Sequence, residues 1–136
     1  VKLYLFDASS IVNLIKRGSL RPLSRGITLD LAVYESLNAI WREYKLLGRL
    51  DLETARLLVE VLQRVFSIMP LESIEGFEEE VFQLAIKENL TVYDAAYLFV
   101  AIKHNLTLVS DDKELLNKAS GYVKTIRTTD LLPSHP

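Results

Sequence analysis

Val1-Lys2-Leu3-Tyr4-Leu5-Phe6-Asp7-Ala8-Ser9-Ser10 opens the chain with an apolar run cut off by an acid, followed by two hydroxyl residues and then apolar Ile11. Leu3 to Phe6 is too short for a helix and rich in aromatic and aliphatic side chains, so it reads as a buried strand feeding a helix. A carboxylate at the carboxyl end of a buried strand is costly to desolvate unless something pairs with it. Two readings stay open here. Asp7 or Ser9 caps the helix that follows, or Asp7 holds a cation at the mouth of a sheet.

The rest of the chain repeats the strand-then-helix theme. A short helix over 11–16 leads into a loop at 18–26 carrying Pro22, then a brief strand over 27–29. A helix over 31–47 places Leu31, Tyr34, Leu37, Ile40, Trp41, Tyr44 and Leu47 on one broad apolar face, and Gly48 closes it. Asp51 caps the next helix, apolar at Leu52, Ala55, Leu58, Val59, Leu62, Val65 and Phe66. These two helices pair as a hairpin whose surplus apolar surface points to a dimer contact. A strand over 68–71 near Pro70, helices over 77–88 and 92–103, and a strand over 106–109 follow. A helix over 113–119 and a last strand over 123–126 precede a frayed tail at 133–136. The alternation predicts an α/β layer fold with a mostly parallel sheet, in one domain over residues 1–132.

Composition excludes several classes. At 136 residues and 49% hydrophobic, with five Gly and four Pro, the chain suits one domain with a real core and no low-complexity tract. The longest apolar run, Ala95 to Ile102, is far short of the ~20 residues that span a bilayer. Asp7 interrupts the only apolar stretch a leader could use, and a cytoplasmic protein is expected. Without cysteine there are neither disulfides nor thiolate zinc sites. A net charge of −2 gives no global field for nucleic acid, but Lys16, Arg17, Arg21 and Arg25 form an acid-free basic segment. It reads either as a solvated helix end and loop, or as a rim that guides a phosphate backbone, with Arg42, Lys45 and Arg49 as further candidates.

In a parallel α/β sheet the carboxyl ends of the strands and the amino ends of nearby helices share one edge, where ligands bind. Asp7 belongs to that edge. So do Glu35, in the early part of its helix; Asp94, in the first turn of an almost wholly apolar helix; and Asp111 and Asp112, directly after a strand. Glu35, Asn38 and Arg42 form a polar stripe at i, i+3 and i+7. Each acid also has a plain explanation. Thr91 with Asp94, and Asp111 with Glu114, have capping-box spacing, and the helix dipole favours acids in first turns. Capping accounts for each acid singly but not for their common edge. Converging carboxylates need protonation or a hard dication. Oxygen donors suit Mg²⁺ or Mn²⁺, while zinc is disfavoured because the only histidines are His104, which reads as a helix-end residue, and His135 in the tail. A metal held this way suits phosphodiester hydrolysis. No glycine-rich phosphate loop, nucleophile elbow or base partner for Ser9 is present.

The set Phe6-Asp7-Ala8-Ser9, Tyr34-Glu35-Ser36-Leu37-Asn38, Tyr93-Asp94-Ala95-Ala96-Tyr97 and Leu108-Val109-Ser110-Asp111-Asp112-Lys113 resembles the PIN-domain ribonucleases, and within them the small VapC-type toxins of toxin–antitoxin pairs. The closing Ile126-Arg127-Thr128-Thr129-Asp130-Leu131-Leu132 resembles that family's last strand and tail. The resemblance implies a three-layer α/β/α fold around a central, mostly parallel sheet of about four to five strands. It implies catalytic, metal-holding carboxylates at Asp7, Glu35, Asp94 and Asp112, with Ser9, Asn38 and Ser110 in support. Asp111 falls on a variable position of the family pattern and is an extra acid. The activity implied is a Mg²⁺- or Mn²⁺-dependent endoribonuclease, a homodimer, neutralised by a small antitoxin that inserts a segment in or near the acidic crevice. The alternative is a catalytically inactive PIN-like binding module whose acidic crevice docks a basic peptide. A phosphatase working through an Asp7 phosphoenzyme ranks last, because position 9 is serine where such enzymes carry a second acid.

Overall fold

The computed structural model describes residues 1–133; His135 and most of the tail expected at 133–136 lie outside the described residues. Five strands form one sheet: β1 (Tyr4–Phe6), β2 (Gly26–Leu29), β3 (Leu71–Glu72), β4 (Thr107–Val109) and β5 (Thr125–Ile126). Their order is β3-β2-β1-β4-β5, and every pairing is parallel. The helices are α1 (Ala8–Lys16), α2 (Leu31–Trp41), α3 (Leu52–Ile68), α4 (Glu78–Glu88), α5 (Val92–His104) and α6 (Lys113–Ala119).

The chain steps outward from β1 to β2 to β3, then returns to place β4 and β5 on the other side of β1. Right-handed crossovers in opposite directions put α1 to α3 on one face and α4 to α6 on the other, giving the three layers. Leu5, Phe6, Leu108 and Val109 on the central strands are fully buried, as are Ile11 and Leu14 of α1 and Ala95, Leu98 and Ala101 of α5. Strands covered on both faces read as continuous apolar runs, which is why β1 and β4 were legible. Among the described residues no helix is long and apolar enough to cross a membrane.

Two expected elements differ. The helix expected over 31–47 stays α-helical only to Trp41, and a π-helical turn takes Arg42–Leu46, with the Leu47 N–H donating to the Arg42 carbonyl at 2.9 Å. Gly48, at φ +61°, then reverses the chain where a side chain would be strained. Ile68, expected to begin a strand, is the last residue of α3; the strand starts at Leu71. Pro70 separates them, since the residue before proline is driven out of the helical region, and Met69 has φ −72° and ψ +132°.

Candidate functional site

The strand order reverses between β1 and β4, so the crevice beyond their carboxyl ends is the topological switch point of the sheet. Asp7 follows β1, and Ser110, Asp111 and Asp112 follow β4. Glu35 is in the second turn of α2, which leaves the same edge after β2, and Asp94 is in the first turn of α5. The sheet therefore brings to one edge acids as remote in sequence as Asp7 and Asp112.

Asp7 is 5% exposed. Its Oδ1 accepts from Ser9 Oγ at 2.8 Å and from the Ser10 N–H at 2.9 Å, while Oδ2 accepts a short hydrogen bond from Ser110 Oγ. Burial nevertheless pushes its carboxyl above the usual carboxylate range, outweighing the hydrogen bonds from Ser110, Ser10 and Ser9 that favour the anion. Asp94 is half-buried, and desolvation together with the charges of Asp112, Asp7, Glu35 and Glu114 pushes its pKa up to about 6. Glu35 Oε1 accepts from the buried Tyr97 hydroxyl at 2.7 Å. Burial and that carboxylate raise the Tyr97 pKa, so the phenol stays a donor.

The capping alternatives resolve differently at each acid. Thr91 Oγ1 accepts from the Asp94 N–H at 3.1 Å, but no reciprocal bond ties up the Asp94 carboxylate, which makes no hydrogen bond among the described residues. Asp112 does cap α6, with one oxygen, Oδ1, accepting from the Glu114 and Leu115 N–H groups at 2.9 and 3.2 Å. Asp7 caps α1, and its charge acts on Asp94 as well. A cap can thus fix a carboxylate's direction without using it up.

The extra acid, Asp111, does not join this set. Its carboxylate accepts from Asn13 Nδ2 at 2.6 Å, Thr128 Oγ1 at 2.7 Å and the Thr128 N–H at 3.0 Å. Burial acts to raise its pKa, but these bonds and nearby Arg127 prevail and lower it. Asn38, expected in support of Glu35, is exposed on α2, and among the described residues no hydrogen bond joins it to any of the acids.

The basic rim also lies elsewhere. Lys16 and Arg17 end α1, which starts at the acidic edge and runs ~13 Å away from it. Arg21 and Arg25 sit in a 3₁₀ turn (Arg21–Arg25) that precedes β2, and Leu3 donates to the Arg25 carbonyl at 2.7 Å, so both are at the amino edge. Lys16 pairs with Glu43 at 2.7 Å. Arg42 shares a helix face with Glu35 but lies two turns further from the edge. The exposed cations directly after the strands are Lys113 and Arg127. Tyr97, Asn13 and Thr128 were missed because nothing in a linear pattern marks a buried phenol, amide or hydroxyl as the partner of a distant acid.

Among the described residues, no three acidic, imidazole or thiol side chains close around one point tightly enough to enclose a metal by themselves. The ion pairs Lys16–Glu43, His104–Glu72 and Lys118–Glu114 involve none of Asp7, Glu35, Asp94 or Asp112. The acids at this edge offer oxygen donors only, the donor chemistry that Mg²⁺ and Mn²⁺ take, with waters completing their shells. It does not fit zinc, whose closed sites use nitrogen or sulfur donors.

The family model described as PIN domain matches residues 4–121. Exonuclease VapC9 of Pyrobaculum aerophilum is 37% identical over 125 residues, 88% of each chain. Ribonuclease VapC3 of the same organism is 36% identical over 91 residues, covering 67% of this chain and 69% of that protein. The crystal structure of PAE2754, also from Pyrobaculum aerophilum, superposes with a TM-score of 0.77 at 32% identity, covering 96% of this chain and 93% of the other.

Proposed function

The chain belongs to the PIN-domain family, and from that membership together with the acidic crevice we propose that it is a Mg²⁺- or Mn²⁺-dependent endoribonuclease. The observation that carries this reading is that Asp94 stands near enough to Asp112, Asp7 and Glu35 for their charges, added to its burial, to raise its pKa. Asp7, Asp94, Asp112 and Glu35 would hold the ion. A bound dication relieves their repulsion, acidifies a water and screens charge developing on the phosphate.

The chain's own residues supply orientation. Ser9, Ser10 and Ser110 donate to both oxygens of Asp7 and keep its carboxylate from turning. Tyr97 donates to one oxygen of Glu35 and leaves the other free to face the crevice. Asp94, whose side chain makes no hydrogen bond among the described residues, is ionised at neutral pH and accepts a proton more readily than an ordinary aspartate. Lys113 and Arg127 would draw the RNA backbone to this edge.

A homodimer regulated by a small antitoxin completes the reading. Tyr34, at 75% exposed, and Trp41, at 50%, leave apolar surface on α2 for a protein partner. An antitoxin arginine reaching the acids would make charge-assisted, bidentate contacts.

The test is cleavage of a circular RNA, which has no ends, with Mn²⁺ and with EDTA. Cutting that needs Mn²⁺ and disappears in Asp7→Asn supports the proposal. Cutting unaffected by EDTA refutes it. Degradation of linear RNA alone assigns exonuclease activity instead, the activity in the name of the VapC9 relative. Replacing Lys113 and Arg127 by Ala should lower the salt dependence of RNA binding; an unchanged slope removes them from the RNA path.

A further inference from the structure

Asp111 lies one residue from two proposed active-site residues, yet its carboxylate turns away from the crevice. It ties three parts of the fold that are remote in sequence. Through Asn13 it holds α1, through the Thr128 hydroxyl and N–H it holds the C-terminal 3₁₀ turn Thr128–Leu131, and it is itself part of the β4–α6 turn. Thr128 is 2% exposed, so this staple is set into the body of the protein. The Asp111 backbone N–H donates to Ser9 Oγ at 3.3 Å, and Ser9 Oγ donates to Asp7. On its other side, the Asp112 N–H donates to Ser110 Oγ at 3.0 Å, and Ser110 Oγ donates to the second Asp7 oxygen. Both hydroxyls that orient Asp7 are therefore held by backbone N–H groups of one short turn, and the Asp111 side chain anchors that turn.

We propose that Asp111 is a positioning residue: by clamping α1 and the C-terminal turn onto the β4–α6 turn, it sets the separation and direction of Asp7 and Asp112. The proposal rests on the metal-dependent reading of the crevice for its consequence, but not for the clamp itself. An acceptor with two oxygens suits the three donors that converge on it, and its charge makes those hydrogen bonds strong enough to offset the desolvation that the charge itself incurs. Residue 111 touches no substrate in this scheme. It acts through Ser9 and Ser110.

Two measurements on Asp111→Ala, Asp111→Asn and Thr128→Val test this, the last two keeping side-chain volume if the alanine variant folds poorly. In EDTA-treated protein, amide exchange at Ser10 and Asp112 should quicken selectively in Asp111→Ala and Thr128→Val, while Leu5 and Leu108 in the central strands keep wild-type protection. Uniform quickening across all amides, or none, overturns the clamp. In calorimetric titration with Mn²⁺, Asp111→Ala should bind about ten- to a hundredfold more weakly, as for other outer supports of metal ligands, with Asp111→Asn in between. Mn²⁺ affinity equal to wild type in all three variants overturns the positioning role. A wild-type protein that does not bind Mn²⁺ overturns the metal reading instead, and selective exchange at Ser10 and Asp112 would still establish the clamp.

Discussion

Replacing Asp94 by asparagine should make the metal-free protein more stable at neutral pH while abolishing its activity. In the folded chain the Asp94 carboxyl holds its proton up to about pH 6, against 3.8 for an ordinary aspartate. At this group the folded state therefore binds more protons than the unfolded state between those values, so the Asp94 contribution to stability is fully present below pH 3.8 and is lost as pH rises to about 6. Above that the loss is complete, and Asp7, displaced in the same direction, adds to it. A gap of about 2 pH units corresponds to about 3 kcal/mol, which we reduce to about 1–2 kcal/mol because Asp94 is half open to solvent and its repulsions are screened. The substituted amide would carry no charge and forfeit no hydrogen bond, since the Asp94 side chain makes none among the described residues. The assay is urea unfolding in EDTA at acidic and neutral pH. The variant should exceed wild type by about 1–2 kcal/mol at neutral pH and match it in acid. Added Mn²⁺ should then reverse the order, because an ion that binds only folded wild type contributes about 2.7 kcal/mol at a hundredfold excess over its dissociation constant. A variant less stable than wild type in EDTA at neutral pH refutes the electrostatic account of the crevice.

Two other substitutions probe the frame around the acids. A Cβ on Gly26 would fall 2.1 Å from Cε2 of the fully buried Phe6 ring. Gly26→Ala should therefore cost about 2 kcal/mol by overpacking rather than give the usual gain of about 0.4–1 kcal/mol, and a raised urea midpoint would contradict this. Tyr97→Phe removes the donor to Glu35 and should lower kcat about tenfold with KM little changed, because Glu35 is then free to turn; unchanged kcat would show that Glu35 needs no such restraint.

Much of this protein was legible one segment at a time. A buried strand needs a short apolar run, a helix needs a periodic face and a cap, and both are written within a few residues. Thus β1, β2, β4 and the helices other than α2, which ends early at Trp41, fall close to where local pattern puts them, and alternation alone implies parallel pairing with one functional edge. That sufficed to bring Asp7, Glu35, Asp94 and Asp112 to one edge. What required the tertiary structure is everything set by contacts between remote segments. Ser110 lies 103 residues from the Asp7 carboxylate it orients, Tyr97 lies 62 from Glu35, and Asn13 lies 98 from Asp111. Asp111 shows the difference most sharply: beside Asp112 in sequence, it is turned by three donors to a structural task. The place of the basic segment is another thing local pattern leaves open, since nine residues of helix carry Lys16 away from the edge where Asp7 sits. Local patterns record which backbone a stretch prefers; the direction a polar side chain faces depends on which distant donors the folded chain brings to it.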